Sequence, residues 1–170
     1  MTDSTRITAA SIADANGLRG STGIRTKWSD VDQDPAAGQV KFKPIFGTRF
    51  PEFRRLDILS RMFVVATEAC GLPALLDAET RIDPALVLAT ATGCLAADQR
   101  FERSLQIPKG IEPAVFPYTL PSTCLGEVAI RHRLRGPTLC LSVAPGEEGL
   151  ALTTAQGLLL DREARAALVL

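Results

Sequence analysis

The plainest pattern in the chain is an apolar run with almost no polar interruption, residues 85–92 (ALVLATAT), entered through Asp83-Pro84 and left at Gly93. A run this short, bounded by turn residues, predicts a strand buried on both faces. Upstream the period changes. Leu56, Leu59, Met62, Phe63, Ala66 and Cys70 recur at helical spacing, Pro51 suits a first turn, and Gly71 with Pro73 supplies a stop, so a helix is predicted over 51–70. Arg54, Arg55 and Arg61 fall on its other faces and are expected in solvent. Downstream, 98–105 predicts a short helix and 106–120, with three prolines, an extended connection. A further helix is predicted from Pro121 to Leu134, with Leu125, Val128, Ala129 and His132 at compatible spacing and Arg135-Gly136-Pro137 ending it. TLCLSVA (138–144) reads as a strand, 145–160 as a helix starting at Pro145, and AALVL (166–170) as a last strand. Ahead of these, RITAASI (6–12) predicts a short first strand. Residues 16–44, rich in Gly, Asp, Lys and Ser, predict a loop in which Trp28 covers a core edge.

The resulting order, β, α, β, α, α, β, α, β, predicts a layered α/β domain. At 170 residues the chain has the length of one domain, 1–170, of which 1–50 supply the first strand and the irregular loop. A domain of this size buries roughly 70% of the surface its unfolded chain exposes, so a sizeable core is expected. Lys+Arg and Asp+Glu both number 19, which gives no electrostatic reason to expect a nucleic acid partner. Cys70, Cys94, Cys124 and Cys140 form no CxxC pair and sit among apolar or small residues, as buried free thiols do. With His132 the single histidine, neither a metal nor another cofactor is expected. The N-terminus has no apolar stretch of signal-peptide length and no segment could span a bilayer, so the expected setting is the reducing cytoplasm. ATATGCL, after the buried strand, has neither the GxGxxG nor the P-loop spacing.

From Tyr118 onward the pattern becomes specific. Gly126, Ala129-Ile130 and Leu134-Arg135-Gly136-Pro137 stand in order ahead of an apolar strand, FRRLDILSRMFVVATEA (53–69) forms the upstream helix, and VLATATGC (87–94) the upstream strand end. In these pieces the chain resembles the front half of a β-ketoacyl synthase, a condensing enzyme of the thiolase-like family, over roughly 53–170 and more weakly at the first strand. The resemblance implies a layered thiolase-like α/β fold, with a mixed, mostly buried sheet flanked by helices. It also implies a dimer made by pairing the strand before the nucleophile across a two-fold axis; here that strand carries Leu139, Cys140, Leu141, Ser142 and Val143.

The departures from the family pattern decide the function expected. Aligned through LRGP, Pro145 occupies the position of the nucleophilic cysteine. The family's thiolate attacks an acyl thioester, with its anion stabilised by a helix N-terminus. Proline has no nucleophilic atom and no backbone N–H to offer an oxyanion. A plain helix start is expected instead, with Glu147 and Glu148 in its first turn. The two histidines of the family's later half have no counterpart before Leu170, and His132 precedes LRGP. No catalytic residue is therefore expected. Cys140 should pack into the sheet; Cys94 and Cys124 lie at a strand end and a helix start, yet lack a partnering base.

The resemblance thus implies a catalytically silent ketosynthase-like subunit, comparable to a chain-length factor, in fatty acid, polyketide or polyene biosynthesis. Its partner would be a full-length ketosynthase or a second copy. GLALTTAQGLLL (149–160) carries almost no charge, so it is expected under cover that a partner supplies. One alternative is a non-enzymatic module that binds an acyl chain or docks an acyl carrier protein. In that case Arg131, Arg133 and Arg135, with His132, would meet the carrier's acidic helix, where the plainer reading is a solvated helix end. Another is a truncated or decayed ketosynthase.

Overall fold

A computed structural model of the protein describes residues 7–14, 17–23, 25–26, 50–72, 83–108 and 110–170. Its elements are β1 (Ser11–Asp14), β2 (Gly17–Gly20), β3 (Arg25–Thr26), a 3-10 turn at Pro51–Arg55, α1 (Ile58–Ala69), β4 (Ala85–Thr90) and α2 (Leu95–Leu105). A second 3-10 segment at Pro113–Thr119, α3 (Thr123–His132), β5 (Thr138–Ser142), α4 (Leu150–Leu160) and β6 (Ala167–Val169) complete them. The protein is a mixed α/β chain around a small parallel sheet, ordered β5-β4-β6, with a separate antiparallel sheet β1-β2-β3.

Strand β4 is the centre of the sheet, as an unbroken apolar run requires. Its alternation sends Leu86 and Leu88 to one face, where they pack with Phe63, Val64 and Ala69 of α1 and Leu125 and Val128 of α3. Val87 and Ala89 point the other way, against Ala151 and Ala155 of α4. Helices therefore cover both sides of β4, the arrangement parallel strands need. The antiparallel sheet hangs on the C-terminal part of α1: the Ser11 hydroxyl donates to Ala66 O at 2.7 Å, and the Thr22 hydroxyl to Ala69 O at 3.0 Å.

Several boundaries differ from those the pattern predicts. The helix expected over 51–70 is broken at Leu56-Asp57, because Asp57 caps α1: its carboxylate accepts from the N–H of Leu59 at 3.2 Å and of Ser60 at 3.0 Å. The helix expected to run to Leu134 ends at His132, where Arg133 takes a left-handed conformation with φ of 55°. Residues 113–119 coil into 3-10 turns rather than running extended, and α2 begins earlier than its charged portion indicates, at Leu95. The first strand begins at Ser11, while Ile7 to Ala10 form no strand. Within 16–44, β2 and β3 are strands and 21–23 form a turn after β2; the other residues of that stretch, Trp28 included, lie outside the described residues. The main sheet is parallel rather than mixed. Only β4 is buried on both faces; β5 alternates between exposed and half-buried positions, and β6 is half-buried throughout.

The glycine of the LRGP segment has a steric reason. A Cβ at Gly136 would lie 2.2 Å from Pro84 O and 2.8 Å from Asp83 O, because the entries to β4 and β5 run side by side. The same approach lets the Leu86 N–H donate to Pro137 O at 2.8 Å. Backbone cannot yield as a side-chain tip can. Gly136→Ala is therefore expected to lower stability by about 3 kcal/mol, the upper end for overpacking, measured as a drop in the urea midpoint with unchanged slope.

Candidate functional site

The position aligned with a nucleophile lies on an exposed turn. Pro145 and Gly146 are the central residues of a β-turn closed by the Glu147 N–H donating to Ala144 O at 3.0 Å, and Gly146 has a φ of 93°. Proline at the second position and a positive-φ glycine at the third are the signature of a type II turn. Helix α4 starts only at Leu150, after Gly149. The plain helix start expected at Pro145 is thus corrected: the Pro-Gly pair makes a turn first. Neither Pro145 nor the two glutamates belong to the first turn of α4.

The glutamates act on the turn itself. The Ala144 N–H donates to Glu147 Oε2 at 3.3 Å and the Gly146 N–H donates to Glu148 Oε1 at 3.1 Å. Backbone donors, its own N–H among them, hold the Glu148 carboxyl below the usual carboxylate value. The amides on either side of Pro145 thus have carboxylate acceptors, and Pro145 between them has no N–H to offer.

No cysteine here is an activated nucleophile. Burial, and then a hydrogen bond to the Asp98 carboxylate 3.5 Å away, push the Cys94 thiol up to about 11. Burial also pushes Cys124 up to about 12; its thiol donates to Pro121 O at 3.0 Å. Cys70 is raised by burial as well, and donates to Thr67 O. Cys140, expected to pack into the sheet, is exposed instead. It lies on the uncovered face of β5 with Thr138 and Ser142, while Leu139, Leu141 and Val143 pack toward α4. Among the described residues no group of three or more His, Cys, Asp or Glu side chains could hold a metal ion, and no helix is long and apolar enough to cross a membrane.

The basic cluster divides in two. Arg131 turns inward: its Nε donates to Glu68 Oε1 at 2.5 Å, and its guanidinium carbon lies 4.3 Å from the centre of the Phe50 ring. His132 follows it, with Nε2 at 3.4 Å from the same oxygen, an electrostatic contact rather than an aligned hydrogen bond. Arg133 and Arg135 remain at the surface. Glu68 is missed by sequence pattern, because α1 is buried nearly all round and one acid in it reads as a solvent position. Its side chain is 5% exposed and that of Arg131 18%.

Two surfaces lack cover. Strand β5 is an edge strand whose one neighbour among the described residues is β4. On α4, Ala151 and Ala155 are buried, but Leu150, Leu152 and Leu160 are each about half exposed or more, Leu152 at 55%. An all-apolar helix without full cover is the arrangement the sequence predicts.

No family model matches the chain, and no curated protein does. Among solved structures it is similar to the ishigamide ketosynthase/chain length factor, at 24% identity and a TM-score of 0.60 over 75% of this chain. The match spans 37% of that protein's chain, so the likeness is one of fold over part of a longer molecule.

Glu68 also yields a test. Burial alone would raise its carboxyl, but His132 and then Arg131 outweigh burial and hold it below the ordinary value. A depressed carboxylate contributes stability above the unfolded pKa of about 4.3. That stability is lost as pH falls through the lower folded value. Glu68→Gln should cost about 2–3 kcal/mol at pH 7, somewhat less than a fully buried pair because Arg131 keeps some water. It should also flatten the acid limb of the stability–pH curve below about pH 4.5, as followed by urea unfolding between pH 3 and 7.

Proposed function

We propose that the chain is a catalytically silent ketosynthase-like subunit that acts through a ketosynthase partner, in the manner of a chain-length factor. On this reading residues 1–170 form one layered, thiolase-like domain that works in the cytoplasm. The observation that carries the proposal is the turn at Ala144–Glu148. At the position where a condensing enzyme holds its cysteine, there is proline, and the amides on either side are taken by Glu147 and Glu148. The part-length likeness to a ketosynthase/chain length factor supports the same reading.

The chemistry then belongs to the partner. Its cysteine would take the acyl group from a carrier protein, in fatty acid, polyketide or polyene assembly. This chain would contribute surface: the β5 edge with Leu139, Cys140, Leu141, Ser142 and Val143, and the uncovered side of α4. An apolar helix face and an unpaired strand edge are the two features an association surface needs. A second reading, an acyl carrier docking module, is favoured by Arg133 and Arg135, the members of the basic cluster left at the surface. Clustered positive charge steers an acidic partner. Arg131 is engaged with Glu68 and would contribute little.

Two outcomes are expected. The chain alone should show no malonyl-dependent condensation, and Pro145→Cys should stay at background, since a returned thiol still meets the glutamate-capped amides and no partnering histidine. Radiolabelled malonyl-carrier assays read this directly; turnover by the unchanged protein, surviving Pro145→Gly, sinks the silent reading. Light scattering should find an assembly, either a second copy or a co-expressed full-length ketosynthase. A stable monomer at micromolar concentration that captures no ketosynthase would refute the partner role.

A further inference from the structure

Strand β5 forms one edge of the sheet, and among the described residues the opposite edge, β6, has no outer neighbour either. Beyond β6 lies a groove of about 1090 Å³, lined by Leu59 and Met62 of α1, Leu152 and Leu159 of α4, and Leu168 and Leu170, with residues 7–11 of the chain also along it. No residue of the Pro145 turn lines it, while Leu152 and Leu160 belong both to it and to the exposed side of α4. The parallel ladder fixes what its floor offers. Ala85 N–H donates to Ala166 O, and Leu170 N–H donates to Val87 O, so 166, 168 and 170 bond toward β4. The alternate residues, Ala167 and Val169, therefore turn their N–H and C=O groups outward into the groove.

Charge at the groove has one sign. Arg162 and Arg165 line it, both exposed, and among the described residues no Asp or Glu does. Neither guanidinium holds an ion pair or side-chain hydrogen bond among the described residues. Arg162 is moreover held at a φ of 61° just past the end of α4. This combination selects among occupants. An alkyl chain would satisfy the leucines but leave the backbone groups of Ala167 and Val169 buried without partners, at a cost of roughly 1–3 kcal/mol each. A strand satisfies both, because its side chains alternate toward the two helices while its backbone bonds to the edge.

We propose that this groove receives an extended segment of a partner chain, which adds to β6 as a further strand, pairs with Ala167 and Val169, sets alternate apolar side chains against α1 and α4, and meets Arg162 and Arg165 with acidic residues. The inference draws on the groove and the open edge alone, and stands whether or not the chain works beside a ketosynthase.

The test uses the full chain and the fluorescein-labelled peptide EVTVTVE. Three comparison probes are the same peptide N-methylated at alternate residues, KVTVTVK, and laurate. The acidic peptide should bind saturably by anisotropy and slow amide exchange at Ala167 and Val169. N-methylation, which removes the strand's donors, should weaken binding about tenfold or more, as should exchange of Glu for Lys. In the Arg162→Glu/Arg165→Glu variant the preference should reverse in favour of KVTVTVK, a gain that an unfolded variant could not show. Equal binding of the N-methylated peptide, laurate binding while the peptides do not, or no peptide binding at all would each overturn the proposal. So would a chain already dimeric by light scattering, with those two amides protected, that the charge-reversed variant splits into monomers, because the occupant would then be a second copy.

Discussion

Burial of β4 on both faces is the constraint from which the rest of this structure follows. Its residues from Ala85 to Ala89 are all buried, with Leu86 and Val87 fully so. Each large side chain withdrawn from water there contributes about 1.5–3 kcal/mol, but only if helices lie on both sides. That fixes α1 and α3 against Leu86 and Leu88, and α4 against Val87 and Ala89. It also demands backbone partners to left and right, which β5 and β6 provide. Side chains that would spoil this packing are handled locally. Thr67, buried in α1, donates its hydroxyl to Phe63 O one turn back at 2.8 Å, and Glu68 takes its partners from α3. Gly136 is where the constraint is tightest, since the neighbouring strand can start beside β4 only if nothing projects toward Pro84.

Much of this was legible in the chain, and what was not has identifiable reasons. The apolar run of β4 and the helical spacing of α1 depend on local period, and both elements form inside the stretches that spacing marks, β4 over Ala85–Thr90 and α1 over Ile58–Ala69. Element ends depend on single side chains. Asp57 lies within the helical period yet caps a helix that starts after it, and Arg133 adopts a left-handed conformation that no periodicity predicts. The Pro-Gly pair at 145–146 carries a turn signal; the habit of proline at a helix start was given more weight, and the turn prevailed. Its place inside a strand predicts that Cys140 packs into the sheet, and it is exposed instead. It shares that exposure with Thr138 and Ser142 on a strand that has one neighbour among the described residues. The pairing of Glu68 with Arg131 joins residues far apart in sequence, and no local pattern could announce it.

The candidate site shows how a turn can be closed to chemistry without distortion. Successive backbone amides at a turn form an anion-binding concavity when they are free. In this chain they are not free, since Glu147 and Glu148 accept from them within the same turn. Burial raises the thiols of Cys70, Cys94 and Cys124 above the ordinary cysteine value. The inward commitment of Arg131 has a similar character. A residue that sequence alone counts among surface cations instead ties α3 to α1, and the outward charge of that helix end falls to its neighbours.

The two ends of the sheet have a collective consequence. Neither β5 (TLCLS) nor β6 (ALV) contains the lysine, proline or inward charge with which natural sheets blunt their edges. The edges are unlike each other and lie on opposite sides of one strand. If β5 meets β5, two copies close a ring of two and growth stops. If β5 of one copy meets β6 of the next, the contact is head-to-tail and each addition leaves a fresh edge, so the product is a filament with no natural length. Whatever occupies one edge therefore also serves as a terminator, and the balance between capped pairs and open polymers becomes a property of supply: how many copies of this chain are made for each partner able to cap them.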